Sequence, residues 1–265
     1  MREPIVLSSP HNQQVKAWRE LNKSRAARLS AGLFLAEGEH MAGEALKEKK
    51  AAALIVRQGD EARYAPLVRL AEKQNLPLYL VSDTVLSALS DAKTPQGVTA
   101  LCAFSSLPTV QKQQVLVALD DVQDPGNVGT ILRTLDAAGF SGLILSKGSA
   151  DPYSPKALRA SMGAVYRVPC VTTDDLPKTL SDLRAQGYDI MAGTLDGAPF
   201  YERGQDAEKV CLVIGNEGAG ISAPVLAEAT RRVRLPMHGG AESLNAAVAC
   251  AIMLYDLLRN KENRD

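Results

Sequence analysis

Short β-branched runs alternate with longer amphipathic stretches along this chain, and that alternation predicts a mixed α/β protein. In the first part, strands are expected at LFLAE (33–37), AALIV (52–56), LYLV (78–81) and VTALCAF (98–104). Helices are expected near 11–23, 40–49, 62–75 and 83–90. In the second part, strands are expected at 115–119, 142–145, 188–193, 210–214 and 232–235, with a weaker one near 166–169. Helices are expected at 127–138, 154–162, 175–186 and 243–259. Such regular alternation implies a mostly parallel sheet with helices on both faces. The polar stretch SSLPTVQKQQ (105–114) separates VTALCAF from VLVALD and marks a boundary. It divides a small α/β module, residues 1–107, from a larger α/β domain, residues 108–265. The last helix, NAAVACAIMLYDLL, is apolar on nearly every side. It therefore needs cover on more than one face, from a second copy or from a deep core.

Composition narrows the class without naming a function. With 46% hydrophobic and 23% charged residues in 265, the chain is globular rather than disordered. No apolar run reaches the length of a membrane span and the first residues lack a signal-peptide core, so the expected location is the cytoplasm. Cys102, Cys170, Cys211 and Cys250 lie 68, 41 and 39 residues apart, which matches no zinc or redox pattern. His11, His40 and His238 are scattered, and no metal site is expected. Net charge is zero but uneven: residues 1–110 hold 14 basic and 11 acidic side chains. The first 28 residues carry Arg2, Lys16, Arg19, Lys23, Arg25 and Arg28 against Glu3 and Glu20. That surface is either a solvated helix face or a phosphate-binding one.

Candidate chemistry lies in three loops that each follow a hydrophobic strand in the second part. In an open α/β sheet, ligands bind where loops leave the carboxyl ends of strands. In DPGNVGTILR, Pro125 and Gly126 are expected to form a tight turn and Asn127 to cap the next helix or face a ligand. Arg133 is either a surface ion-pairing residue or a site cation. In IGNEGAGIS, the Gly-x-x-Gly-x-Gly order is neither the dinucleotide fingerprint nor a P-loop. Glu217, the only charge there, is expected to seek a cation such as Arg133. In LPMHGGAESLN, Ser243 and Asn245 open the last helix and either cap it or present hydrogen bonds to a ligand. Leu235, Pro236, Met237 and Leu244 are either core or an apolar wall for an adenine. There is no hydrolase triad order and no carboxylate cluster for Mg²⁺, so such a site positions and polarises without an evident nucleophile.

Together the three loops resemble the SpoU/TrmH family of RNA ribose 2′-O-methyltransferases, within the SPOUT superfamily. The motifs are Asn127-x-Gly129-x-x-x-Arg133, Gly215-Asn216-Glu217-Gly218-x-Gly220-Ile221-Ser222, and Leu235-Pro236-Met237 followed by Glu242-Ser243-Leu244-Asn245. The resemblance covers about residues 113–260, and RAARLSAGLFLAEGE (25–39) looks like the substrate-binding domain often fused to this family. It implies a deep trefoil knot in the C-terminal domain and a homodimer formed through that domain. It implies S-adenosyl-L-methionine as cofactor, with Thr194, Leu195, Ile214, Gly215, Asn216, Gly218, Leu235, Met237 and Leu244 at cofactor-contacting positions. It places Asn127, Arg133, Glu217, Ser243 and Asn245 in the catalytic set. The implied substrate is RNA, ribosomal RNA ahead of transfer RNA, gripped by Arg25 and Arg28 of the first module and by Lys156 and Arg159 of the second. The alternative is a non-catalytic RNA-binding protein on the same scaffold.

Overall fold

A computed structural model describes residues 3–104, 115–140 and 142–262. The boundary stretch 105–114 lies outside the described residues. The chain forms two compact units: Met1–Ser106 with Tyr153–Tyr166, and Leu107–Pro152 with Arg167–Asp265.

The first unit contains β1 (Ile5–Leu7), α1 (Gln13–Lys23), α2 (Arg25–Ala31), β2 (Leu33–Glu37), α3 (Glu39–Lys47), β3 (Ala51–Arg57), α4 (Ala65–Lys73), β4 (Leu78–Val81), α5 (Asp83–Leu89) and β5 (Val98–Ala103). Its five strands lie in the order β1-β4-β3-β5-β2. β1, β4 and β3 run parallel, and β5 pairs antiparallel with both β3 and β2. Val15, Trp18 and Leu21, spaced for one helix face, bury against Leu35, Ile55, Val81 and Leu89. Two elements escaped the periodicity. β1 has only three residues, and α2 is a seven-residue helix capped by the Ser24 hydroxyl and closed by Gly32 at φ +65.

The first unit also takes in α7 (Pro155–Ser161) and the 3₁₀ turn Ala164–Tyr166, both read from the sequence as part of the second domain. Aromatic packing holds them there. Tyr153 stacks on Phe104 with centroids 4.3 Å apart and meets Phe34 at 4.9 Å. Tyr166 reaches Phe34 at 6.1 Å, and its hydroxyl lies 3.8 Å from the Cys102 sulfur. The expected weak strand at 166–169 is the tail of this segment, and the ladder begins after Pro169 with β8 (Cys170–Thr173).

The second unit is built on β6 (Val115–Asp120), α6 (Pro125–Ala137), β7 (Leu143–Ser146), β8, α8 (Leu176–Ala185), β9 (Asp189–Pro199), β10 (Val210–Gly215), α9 (Ala223–Ala227), β11 (Arg231–Arg234) and α10 (Ala246–Glu262). Its six strands, ordered β11-β9-β10-β6-β7-β8, are all parallel. One face packs Leu180 and Leu183 of α8 and Val225 of α9 against Leu116, Ile190 and Val213. Ile131, Leu132 and Leu135 of α6 and Met253, Leu254 and Leu257 of α10 are also buried. On α10, Val248 and Tyr255 remain 47% and 49% exposed, so the apolar last helix keeps one uncovered face.

β9 and β11 break register in one place. Arg232 pairs with Ala192, but Val233 pairs with Ala198, so residues 193–197 loop out of the ladder. At Gly197 the two backbones touch: a Cβ there would sit 2.5 Å from the Val233 nitrogen and 2.6 Å from the Arg232 carbonyl carbon. A buried charge cluster fixes the far end of the same elements. Arg203, against the Phe200 ring, binds Asp206 at 2.6 Å and Asp256 of α10 at 2.8 Å. Arg231 of β11 pairs with Asp189 of β9, and Asn260 donates to Asp206 at 2.9 Å.

Candidate active site

The site-bearing loops leave the carboxyl ends of four neighbouring strands, β6, β10, β9 and β11, in the second unit. The first begins differently from the sequence expectation. Pro125 and Gly126 are the opening turn of α6 rather than a free turn, and Asp124 rather than Asn127 is its N-cap, accepting from Gly126 N–H at 2.7 Å. Proline at the first helical position needs no N–H partner, which is why the helix starts two residues early. Asn127 is thereby released for the site and is 8% exposed.

Asn127 is the middle of a directed hydrogen-bond chain through all three motifs. Its amide nitrogen donates to Glu217 Oε1 at 2.7 Å, and its carbonyl oxygen accepts from the Asn245 amide at 2.9 Å. Asn245 Oδ1 in turn accepts from Ala247 N–H at 2.9 Å and Val248 N–H at 3.2 Å, capping α10. The chain has one sense because the helix end offers only donors, so both asparagine amides are fixed in orientation.

Glu217 has no cationic partner among the described residues, contrary to the expected pairing with Arg133. Its carboxylate also takes the backbone N–H groups of Gln123 at 3.3 Å and Asp124 at 3.4 Å. Burial works against its charge, but the Asn127 amide and the backbone N–H donors outweigh it and hold Glu217 below the usual carboxylate range. The same donors occupy both carboxylate oxygens, so Glu217 is held as an anion that anchors the loop. Arg133 is exposed on α6 and makes no ion pair among the described residues. It lies six residues beyond Asn127, roughly 9 Å along the helix axis. Ser243 is exposed, and Asn245 alone supplies the cap of α10.

The second loop is self-built. Asn216 Oδ1 accepts from Gly218 N–H at 2.9 Å and Ala219 N–H at 2.8 Å, and its amide donates to Asp121 O at 2.8 Å. Its backbone exchanges two bonds with Gly220, which sits at φ +72. Asn216 and Gly218 thus shape the loop through these bonds. Gly215 is fixed as glycine because a Cβ would lie 2.3 Å from the Gly220 carbonyl carbon. Asp120, not singled out from sequence, accepts Ser222 N–H at 2.7 Å while 7% exposed. The signal was present as an acid ending a wholly buried strand. Asp121 beside it holds φ +59, a left-handed conformation uncommon outside glycine.

The remaining positions suit an apolar ligand with a polar edge. Leu195, Met237 and Leu244 are 70%, 36% and 38% exposed on neighbouring loops, while Ile214 is buried at the end of β10. Thr194 Oγ1 is buried without a hydrogen-bond partner, an orphan that a bound ligand would satisfy. Leu235 is half-buried beside them in sequence. These residues fit S-adenosylmethionine: apolar walls for the adenine and a hydroxyl for a polar group. No group of His, Cys, Asp and Glu able to hold a metal occurs among the described residues.

Of the residues expected to meet RNA, Arg28 is turned inward. It is 4% exposed and its guanidinium donates to Leu21 O, tying α2 to α1. Arg25 is half-buried, Lys156 is exposed, and Arg159 pairs with Asp91 at 2.7 Å.

Residues 114–255 match the SpoU rRNA Methylase family, and residues 12–100 match the MRM3-like substrate binding domain. The chain is 37% identical over 252 residues to the 23S rRNA (guanosine(2553)-2′-O)-methyltransferase of Bacillus subtilis, covering 95% of this chain and 98% of that one. The AdoMet-bound rRNA methyltransferase of Sinorhizobium meliloti superposes with a TM-score of 0.82 at 32% identity, covering 96% and 97% of the two chains. The SpoU methyltransferase AviRb of Streptomyces viridochromogenes, also with AdoMet, gives 0.83 at 25% identity over 95% and 98%. The chain belongs to the SpoU rRNA methylase family, with a substrate-binding domain of the MRM3-like type ahead of the methylase domain.

Proposed function

We propose that this protein transfers the methyl group of S-adenosylmethionine to a ribose 2′-hydroxyl of ribosomal RNA. The single observation that carries this reading is the Glu217–Asn127–Asn245 chain, which draws the three family motifs into one rigid frame. The sulfonium of the cofactor supplies an activated methyl group, so the protein's task is to align the hydroxyl and ease loss of its proton. Thr194, Leu195, Ile214, Leu235, Met237 and Leu244 hold the cofactor. Gly215 lets the backbone approach it. Glu217 and Asn127 fix the loops, with Asn245 and Ser243 at the mouth of α10. A guanidinium is a poor base, so Arg133 acts as a cation on the target phosphate or the developing alkoxide.

The sequence relatives favour a ribosomal substrate. The uncovered Val248–Tyr255 face of α10 supports a homodimer. No helix among the described residues is long and apolar enough to cross a membrane, in keeping with a cytoplasmic enzyme.

The test is transfer of labelled methyl from S-adenosylmethionine to ribosomal RNA from a strain lacking the protein. Wild type should label one ribose. Arg133→Ala should lose at least roughly a hundredfold in rate while binding cofactor normally by calorimetry. Near-normal turnover of Arg133→Ala would refute its role, and cofactor binding without label on any RNA would point to the non-catalytic alternative.

A further inference from the structure

Three segments that are remote in sequence meet on the first unit. The Asn22 amide, at the end of α1, donates to Leu89 O at the end of α5. The loop that follows α5, residues 90–97, is gripped at both ends by one carboxylate. Glu37 accepts the Ser90 hydroxyl at 2.8 Å and the Gln96 backbone N–H at 3.2 Å. The Tyr64 hydroxyl adds a bond to Gln96 O. Between those anchors Asp91 reaches Arg159 of α7 at 2.7 Å. Asn22, Glu37, Asp91, Pro155 and Arg159 line a single small cleft.

The charges around this cleft are one-sided. Lys23 ends α1 exposed, Arg25 opens α2, Lys93 is exposed at the tip of the loop, and Lys156 and Arg159 project from α7. Of the nearby acids, Glu37 is spent on the loop and Asp91 on Arg159. Core packing does not require a clamp of this kind on a loop whose tip, Ala92–Lys93–Thr94, faces solvent. Preorganising an exposed lysine beside other cations is what phosphate tracking requires.

We propose that the end of α1, the 90–97 loop and α7 form one phosphate-tracking surface, in which Asp91 occupies Arg159 until an RNA phosphate replaces it. The Asp91–Arg159 pair suits such exchange because both side chains are substantially exposed, at 39% and 52%. Exposed pairs of this kind are weak, and a phosphate offers the guanidinium the same two-oxygen geometry. This inference rests on the RNA-methyltransferase reading and adds to it a contact loop and an internal competitor.

The experiment is binding of labelled, transcribed 23S rRNA to the full chain across a series of KCl concentrations, with methyl transfer to the same RNA run in parallel. Lys93→Ala and Arg159→Ala should each weaken binding about threefold to tenfold and each flatten the log K against log salt slope by about one unit. Lys93→Glu should weaken it further. Asp91→Asn should bind more tightly at low salt, with a slope no flatter than that of wild type. Wild-type affinity and slope in both cation variants would overturn the proposal. Weaker binding by Asp91→Asn would overturn the competitor role. If the variants bind like wild type while wild type still methylates, only this surface is wrong. A wild-type chain that neither binds nor methylates RNA would sink the functional reading and this surface together.

Discussion

Gly197→Ala tests the close approach of β9 and β11 directly. The methyl group would be placed 2.5, 2.6 and 2.7 Å from three backbone atoms of Arg232 and Val233. Ordinary contact begins near 3.4 Å, so the strands must part by roughly 1 Å. Backbone cannot swing aside as a side chain can. Overpacking of this kind costs about 1–3 kcal/mol, and straining the adjoining Val233–Ala198 and Arg234–Pro199 pairings adds about 0.5–1.5 kcal/mol for each bond lost. The total, about 2–6 kcal/mol if both pairings are lost, corresponds to a fall in Tm of roughly 4–24 °C for a domain of this size. Because Thr194 and Leu195 ride on the looped-out segment 193–197, cofactor affinity should also drop by at least roughly tenfold. The assay is differential scanning calorimetry with titration of S-adenosylmethionine, with Gly240→Ala as control. A Cβ at Gly240 meets nothing within 4 Å, so that variant should unfold within about 0.5 kcal/mol of wild type. If Gly197→Ala melts with wild type and binds cofactor equally well, the close β9–β11 contact does not hold the site together.

Other expectations follow from the same coordinates. Glu217 is held below the ordinary carboxylate range, so its contribution to stability is present above the unfolded value of about 4.3 and lost as pH falls through the lower folded value. Glu217→Gln should lower kcat/KM yet leave the shape of the pH–rate profile between about pH 6 and 9 unchanged, because Glu217 titrates below that window; loss of a limb within it would contradict the low carboxylate range. Asn245→Ala removes the cap of α10 and the donor to Asn127, and should cost about 1–2 kcal/mol. Asn245→Asp keeps the cap but not the donor, so chemical denaturation should show stability recovered while methyl transfer stays impaired. Asp256→Ala leaves the Arg203 guanidinium, 3% exposed, with one carboxylate fewer, and should cost about 3–5 kcal/mol in urea unfolding. Burial pushes the thiols of Cys102, Cys170 and Cys211 up to about 12 and raises that of Cys250 as well. Folded protein at pH 8 should therefore react with iodoacetamide far more slowly than the urea-unfolded chain.

Periodicity was a good guide wherever local pattern decides structure. The strands at 33–37, 78–81 and 210–214 and the helix face of Val15, Trp18 and Leu21 lie where their apolar spacing puts them. What stayed hidden depends on partners distant in sequence. Arg28 reads as a surface cation, yet its side chain folds back to Leu21 O. Glu217 was given a cation because a lone carboxylate in a glycine loop has no local partner. Its partners are an amide and backbone N–H groups about ninety residues away, which only the parallel ladder of β6 and β10 brings near. The 90–97 loop was passed over because Glu37, its anchor, lies before three intervening helices in sequence. Pro125 misled for a different reason: proline signals both a turn and a helix start, and the Asp124 cap decides between them.

The segment Tyr153–Tyr166 gives the chain an unusual inheritance. The aromatic faces of Phe34 and Phe104 are covered by residues encoded within the methylase half of the gene. A recombination event at the 105–114 junction would therefore deliver a substrate module whose packing surface belongs to someone else's coding sequence. Exchange between family members should succeed only where α7 and its flanking tyrosines travel with the module or already match it. The two halves are thus bound to change together, and the unit of descent here is the interleaved pair rather than either domain alone.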